Sequence, residues 1–114
     1  MKFNYSLQTL YESYCNYPSD INEHLPTLKK YADECDHITE MGVREGVSFV
    51  ALLNGKPKKM IGIDINLKEG VKLIQELAES EGLNVEYIYG DTRNINIDPT
   101  DFLFIDTWHC YEQL

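Results

Sequence analysis

The chain has 114 residues, of which 43% are hydrophobic and 25% charged, which is the size of a single domain with enough apolar side chains for a core. Its formal net charge of −9 excludes a broad basic surface that would bind nucleic acid or anionic lipid through phosphates. It has no apolar run near the roughly 20 residues of a transmembrane helix and no signal-peptide stretch after Met1. Its three cysteines lack C-x-x-C spacing, which fits reduced thiols. We therefore expect a cytoplasmic protein with no membrane or nucleic-acid partner.

Two helices are predicted before residue 37. The first ends at a break around Pro18. Its apolar residues at helical spacing are Leu7, Leu10, Tyr11 and Tyr14. The second is expected to begin at Asp20, which would cap it, with Glu23 completing a capping box. An apolar stripe follows, consisting of Ile21, Leu25, Leu28 and Ala32.

From residue 37 the pattern alternates between strands and helices. Strands are predicted at 37–41, 59–64, 85–89 and 101–106, and helices at 47–53 and 67–80. The fourth strand is apolar between two aspartates, which is typical of a buried parallel strand. The order β-α-β-α-β-β predicts a parallel sheet with helical crossovers.

A polar cluster follows each predicted strand, at residues 40–46, 64–66, 90–92 and 106–109. The carboxyl ends of parallel strands share one edge of the sheet, and ligands of such sheets bind at that edge. We therefore expect the four clusters to form one ligand site.

The first cluster has the pattern Glu40-x-Gly42-x-x-x-Gly46. Gly42 would let the chain turn sharply, and Gly46 would let the next helix start close to the sheet and to a ligand. No Gly-Lys-Ser/Thr follows, which excludes a phosphate loop, and Arg44 stands where a dinucleotide fingerprint has its middle glycine. An ordinary strand-to-helix turn would explain the same pattern.

The second and third clusters are suited to a nucleoside. Asp64 ends the second strand about 20 residues beyond the glycine turn, where a carboxylate can accept hydrogen bonds from both ribose hydroxyls. Its alternative role, as a helix N-cap, is assigned here to Asn66. Asp91, in Gly90-Asp91-Thr92, could accept a hydrogen bond from an adenine amino group, although Gly-Asp is also common in plain turns.

The fourth cluster combines Asp106 with His109. This pair could bind a divalent cation or exchange a proton at neutral pH. The alternative is a surface turn with Trp108 packed beneath it.

Together the four clusters resemble the class I S-adenosylmethionine-dependent methyltransferases. The stretch from Ser19 through Ser48 also looks like a small bacterial and viral branch of that family. Residues 104–109 are similar to the Ile-Asp-Gly-x-His-x-Tyr motif of metal-dependent O-methyltransferases, with Thr107 in place of the glycine. The resemblance implies an α/β fold: a three-layer Rossmann-like parallel sheet with N-terminal helices, in which this chain supplies about four of the family's seven strands. Residues 1–36 would form a helical segment packed on the core, and residues 37–114 the first half of the cofactor-binding domain.

The resemblance also implies roles for individual residues. The cofactor-binding set is Glu40, Gly42, Arg44, Gly46, Ser48, Asp64, Asn66, Asp91, Thr92 and Asp106. Within it, Glu40 and the glycine turn would hold the methionine end, Asp64 the ribose, and Asp91 with Thr92 the adenine. Asp106 and His109 would be catalytic, and Asp106 would also be the candidate ligand for a magnesium ion.

The implied reaction is methyl transfer to an oxygen or nitrogen of a small molecule. The alternatives are a non-catalytic S-adenosylmethionine- or nucleotide-binding fragment that needs a partner and, less favoured, an NAD-dependent oxidoreductase. A parallel sheet that stops after four strands would expose an apolar edge, so we expect self-association or a partner at that edge.

Overall fold

The fold is seen in a computed structural model of the chain, which describes residues 3–19, 21–91 and 99–105. In chain order its elements are α1 (Leu7–Asn16), a one-turn 3-10 helix (Asn22–His24), α2 (Leu25–Ala32), β1 (His37–Met41), α3 (Val47–Asn54), β2 (Lys59–Asp64), α4 (Glu69–Ser80), β3 (Val85–Tyr89) and β4 (Phe102–Ile105). Among these described residues, no helix is both long enough and apolar enough to cross a membrane.

The strands form one parallel sheet in the order β3-β2-β1-β4. The chain moves outward from β1 to β3 and then returns to the other side of β1. The strand order therefore reverses between β1 and β4, and in open α/β sheets ligands bind beyond the carboxyl ends of the strands at such a reversal. The predicted α/β class with a parallel, Rossmann-like sheet is confirmed, and so are the predicted bounds of the first three strands.

Helix α3 forms the centre of the core. Its residues from Ser48 to Asn54 are buried, because the sheet lies on one side of the helix while α1 and α2 pack against it on the others. Helix α4 exposes one face and buries the other, as predicted. The buried stripe consists of Val71, Ile74, Leu77 and Ala78. The predicted stripe of α2 is confirmed for Leu25, Leu28 and Ala32, which are buried, whereas Ile21 precedes the 3-10 turn and is half-buried.

Two predicted helix starts are wrong. Helix α2 begins at Leu25, after the 3-10 turn, and Glu23 lies within that turn. An earlier start would require an intrahelical bond from the nitrogen of Pro26, which has no hydrogen, whereas proline is well tolerated in the first turn. The predicted cap Asp20 lies outside the described residues.

Helix α4 begins at Glu69, and its N-cap is Lys68 instead of the predicted Asn66. The backbone N–H of Asn66 donates to Asp64 Oδ1 at 3.1 Å, which makes a local turn of the Asx type. This turn competes with helical geometry and delays the start of the helix.

Candidate functional site

The turn between β1 and α3, residues 42–46, is built from alternating left-handed positions. The φ angles are 83° at Gly42, 58° at Arg44 and 91° at Gly46. Arg44 stands where a dinucleotide fingerprint has its middle glycine, and it adopts the left-handed conformation that a glycine would favour. For a residue with a Cβ this conformation costs roughly 1–2 kcal/mol, so surrounding contacts must hold it.

Gly46 and Gly62 permit close packing around this turn. A Cβ on Gly46 would lie 2.9 Å from Ile74 Cδ1, and one on Gly62 would lie 2.6 Å from Phe49 Cε1. Gly46 thus lets α3 start against α4, while Gly62 lets α3 lie on β2. The structure gives both glycines a packing role.

Glu40 lies beneath the turn. It is fully buried in β1, beside Gly62 and Phe104 in the sheet, and its Oε2 accepts a hydrogen bond from the Ser48 hydroxyl. A carboxylate at such a depth requires hydrogen-bond donors, and Ser48 supplies one from the first turn of α3. Glu40 and Ser48 therefore tie the end of β1 to the start of α3.

Asp64 connects three turns at the carboxyl edge of the sheet. Its Oδ2 accepts the backbone N–H of Arg44 at 2.8 Å, and its Oδ1 accepts that of Asn66 at 3.1 Å. Its carbonyl oxygen accepts the N–H of Gly90 at 3.0 Å. A carboxylate offers about four acceptor sites, so this partly exposed group can accept further donors from a ligand.

Two exposed hydrophobic residues flank Asp64 and were not predicted as site residues. Ile65 follows it and is 63% exposed, and Tyr89 pairs with it in the register of the sheet and is 70% exposed. Together they offer apolar surface beside a carboxylate, as a flat, hydroxyl-bearing ligand requires. The sequence signal was an apolar residue just past a strand-ending aspartate, together with an aromatic residue at the end of the neighbouring strand.

The loop between β2 and α4 is held by Tyr87. Its hydroxyl accepts the N–H of Lys68 at 2.9 Å and lies 3.3 Å from the carbonyl oxygen of Asn66, to which it donates. Burial raises the pKa of Tyr87, while the hydrogen bond from Lys68 opposes that rise. The ammonium of Lys68 pairs with Glu45 and so links this loop to the glycine turn. Neither Tyr87 nor Lys68 was predicted as a site residue.

The predicted site residues thus fall into separate groups. Arg44, Asp64 and Asn66 are in direct contact, and Glu40 contacts Ser48. Asp91 follows β3 at the same edge, after Gly90. Thr92, Asp106 and His109, with the predicted catalytic and metal-binding roles, lie outside the described residues.

Within the described part of the chain, the carboxyl edge of the sheet carries no metal centre. Residues 3–19, 21–91 and 99–105 contain no cluster of three or more potential metal ligands from His, Cys, Asp or Glu. A cavity of about 180 Å³ lies at the opposite edge of the sheet, where His37 and Lys59 begin their strands. The assignment of the ligand edge therefore depends on strand topology and on the polar groups that meet there.

No protein-family model matches the sequence, and no curated protein matches it. Among solved structures, the chain is similar to phosphoethanolamine N-methyltransferase 1 of Haemonchus contortus, determined in complex with phosphoethanolamine and S-adenosylhomocysteine. The TM-score is 0.47 and the sequence identity 16%, and the match covers 87% of this chain and 24% of that enzyme.

Proposed function

We propose that this chain binds S-adenosylmethionine at the carboxyl edge of its sheet, as a methyltransferase or as the cofactor-binding part of one. The observation that carries this proposal is the contact between Asp64 and the Gly42–Gly46 turn. A carboxylate at the end of β2, joined to a left-handed turn at the end of β1, places a ribose acceptor beside a path for the rest of the cofactor.

The residues at this edge suit the parts of the cofactor. The remaining acceptor sites of Asp64 would receive the ribose hydroxyls, with Ile65 and Tyr89 covering the adenine and Asp91 near its amino group. The Gly42–Gly46 turn would hold the methionine end, with Glu40 and Ser48 supporting it from beneath. When bound, the cofactor supplies an electrophilic methyl group on its sulfonium.

The methyl acceptor would be an oxygen or nitrogen of a small molecule that attacks in line with the departing sulfur. The main contribution of the protein would be to position the two reactants. The proposals that Asp106 or His109 takes the proton, and that Asp106 binds magnesium, rest on the sequence alone. A cytoplasmic location likewise remains a prediction from the sequence.

Two other functions were considered at the sequence level. An NAD-dependent oxidoreductase is disfavoured, because the middle glycine of its fingerprint lets the backbone approach the pyrophosphate and Arg44 has a side chain there. A chain that binds the cofactor without turnover would use the same edge, because Asp64 and the Gly42–Gly46 turn would hold the cofactor whether or not its methyl group is transferred. Transfer of a labelled methyl group to a panel of alcohols and amines would separate this function from catalysis.

Calorimetric titration with S-adenosylmethionine tests the proposed function, with NAD as the competing ligand and with and without Mg²⁺. We expect S-adenosylmethionine to bind and NAD not to bind. Asp64→Ala should weaken it at least about tenfold, because hydrogen bonds to a charged group contribute about 1.5–3 kcal/mol. Asp101→Ala is the matched control, since Asp101 also accepts two backbone N–H groups but lies at the other edge of the sheet. Failure of the wild-type chain to bind would refute the proposal.

A further inference from the structure

We infer that Asp64 is a positioning residue for the Gly42–Gly46 turn as well as a direct ligand contact: its carboxylate holds Arg44 in the left-handed conformation that shapes the site. This inference deepens the proposed function and, for its effect on the ligand, rests on it. The structural part, the dependence of Arg44 on Asp64, stands apart from any ligand.

The contact with Asp64 is specific to the strained residue of the turn. Gly42 and Gly46 adopt positive φ at little cost, whereas Arg44 carries a Cβ at φ 58°. Only 2.8 Å separates the Arg44 nitrogen from Asp64 Oδ2, which comes from another strand 20 residues later in the chain. A charged acceptor on this N–H is a stronger restraint than a neutral one.

A comparison within the molecule supports this assignment. Lys56 is the other non-glycine residue with positive φ among those the structure describes, at 55°. Its N–H donates to the carbonyl oxygen of Leu53 at 2.9 Å, so a local bond at the end of α3 holds it. Arg44 also lies inside a local turn, in which the Gly46 N–H donates to the Val43 carbonyl oxygen at 3.0 Å, but its own N–H donates to a side chain of the neighbouring strand. That second bond links the shape of the turn to the ligand edge.

Asp64 is placed to act on more than one turn. The same carboxylate holds the N–H of Asn66, so removing it would loosen both the glycine turn and the start of the β2–α4 loop. The bond from Gly90 uses the Asp64 backbone and would survive the substitution. The expected damage is therefore local, and the sheet should remain intact.

Amide hydrogen exchange of the ligand-free protein tests the structural part. Asp64→Ala should raise the exchange rate of the Arg44 amide about tenfold or more, with a smaller rise in Asp64→Asn, which keeps one acceptor oxygen. The Lys56 amide should not change. Asp101→Ala should free the amides of Asp36 and His37 and leave Arg44 protected. Unchanged exchange at Arg44 in both Asp64 variants would overturn the inference.

Binding of two ligands tests the effect on the site. S-adenosylhomocysteine carries both ribose hydroxyls, and its 2′,3′-dideoxy analogue carries neither. If Asp64 acts only through those hydroxyls, Asp64→Ala leaves the affinity for the analogue unchanged, and the inference is wrong. We expect a loss of about tenfold for the analogue as well, because the turn is no longer held.

Relief of backbone strain provides the decisive comparison. In the Asp64→Ala background, Arg44→Gly should restore most of the affinity for the analogue, since glycine adopts the left-handed conformation unaided. The single Arg44→Gly variant completes the double-mutant cycle and removes any direct contact of the arginine from the comparison. Lys56→Gly in the same background is the matched control and should restore nothing. If wild-type protein binds neither ligand, the proposed cofactor is wrong, while the exchange rates still decide the role of Asp64.

Discussion

Gly62 lets α3 lie close to β2, because its side chain is a hydrogen atom and not a methyl group. Gly62 stands in the middle of the sheet, and a Cβ there would meet Phe49 Cε1 at 2.6 Å and Val43 Cγ2 at 2.9 Å. Both neighbours are fully enclosed core residues. Because neither can move away without displacing others, the local packing requires glycine at this position.

We expect Gly62→Ala to lower the free energy of unfolding by about 1–3 kcal/mol, the usual cost of inserting a methyl group into a filled core. Urea unfolding followed by circular dichroism measures it. Gly70→Ala is the control, because a Cβ there meets nothing within 4 Å and alanine favours the helix. Equal effects at the two glycines would show that steric overlap at Phe49 is not the cause.

Between elements, a group of hydrogen bonds joins β4 to β1 at the amino edge of the sheet. Asp101 Oδ2 accepts the N–H groups of Asp36 at 2.6 Å and His37 at 3.2 Å. In return, the Asp101 N–H and the Thr100 hydroxyl donate to the His37 carbonyl oxygen at 2.8 Å and 2.7 Å. These bonds fix the register of a strand that is separated from β1 by most of the chain.

The hydrogen bonds from Asp36, and then from His37, lower the pKa of Asp101. The ionised form is therefore favoured by folding, and its stabilisation is complete above the unfolded-state value of about 3.9. That contribution should disappear as the pH falls through the lower, folded-state value. Asp101→Asn should destabilise the protein at pH 7 and flatten the acid side of its stability profile, as measured by urea unfolding between pH 7 and about 3. Glu86→Gln, at an exposed carboxylate of β3, is the control, and an unchanged acid profile in Asp101→Asn would contradict the prediction.

At the scale of the whole molecule, the sheet presents apolar side chains on its outer strands. Leu103 and Ile105 of β4 are 41% and 55% exposed, and both lie on the face opposite the helical core. β4 is an edge strand of the described sheet, and exposed apolar edges favour pairing with another chain. The N-terminal helices do not cover this face, because they pack on α3, where Asn54 donates to the Leu7 carbonyl oxygen at 3.0 Å.

We expect the chain to associate at tens of micromolar, as measured by static light scattering. Leu103→Lys should shift the population toward monomer, because a charge on an edge strand opposes pairing. Leu73→Lys is the matched control, because Leu73 is 43% exposed, close to the 41% of Leu103, but lies on α4 outside the sheet. Added salt should strengthen association by screening the net charge of −9. A monodisperse wild-type monomer under these conditions would refute the prediction.

The sequence by itself determined the alternation of strands and helices, the bounds of β1, β2 and β3, and the buried stripe of α4. These features follow from periodicity and from local turn residues, which act within a few positions of the chain. It also indicated the polar clusters at the strand ends, since parallel strands place them on one edge. The start of α2 was missed because the effect of Pro26 on the preceding turn outweighed an apparent capping box.

Only the tertiary structure decided which residues of the polar clusters contact one another. The left-handed conformation of Arg44 depends on a carboxylate 20 residues away. The exposure of Ile65 and Tyr89 beside Asp64 likewise depends on which strands are neighbours. Such features are set by contacts between elements distant in sequence, and local propensity contains no information about those contacts.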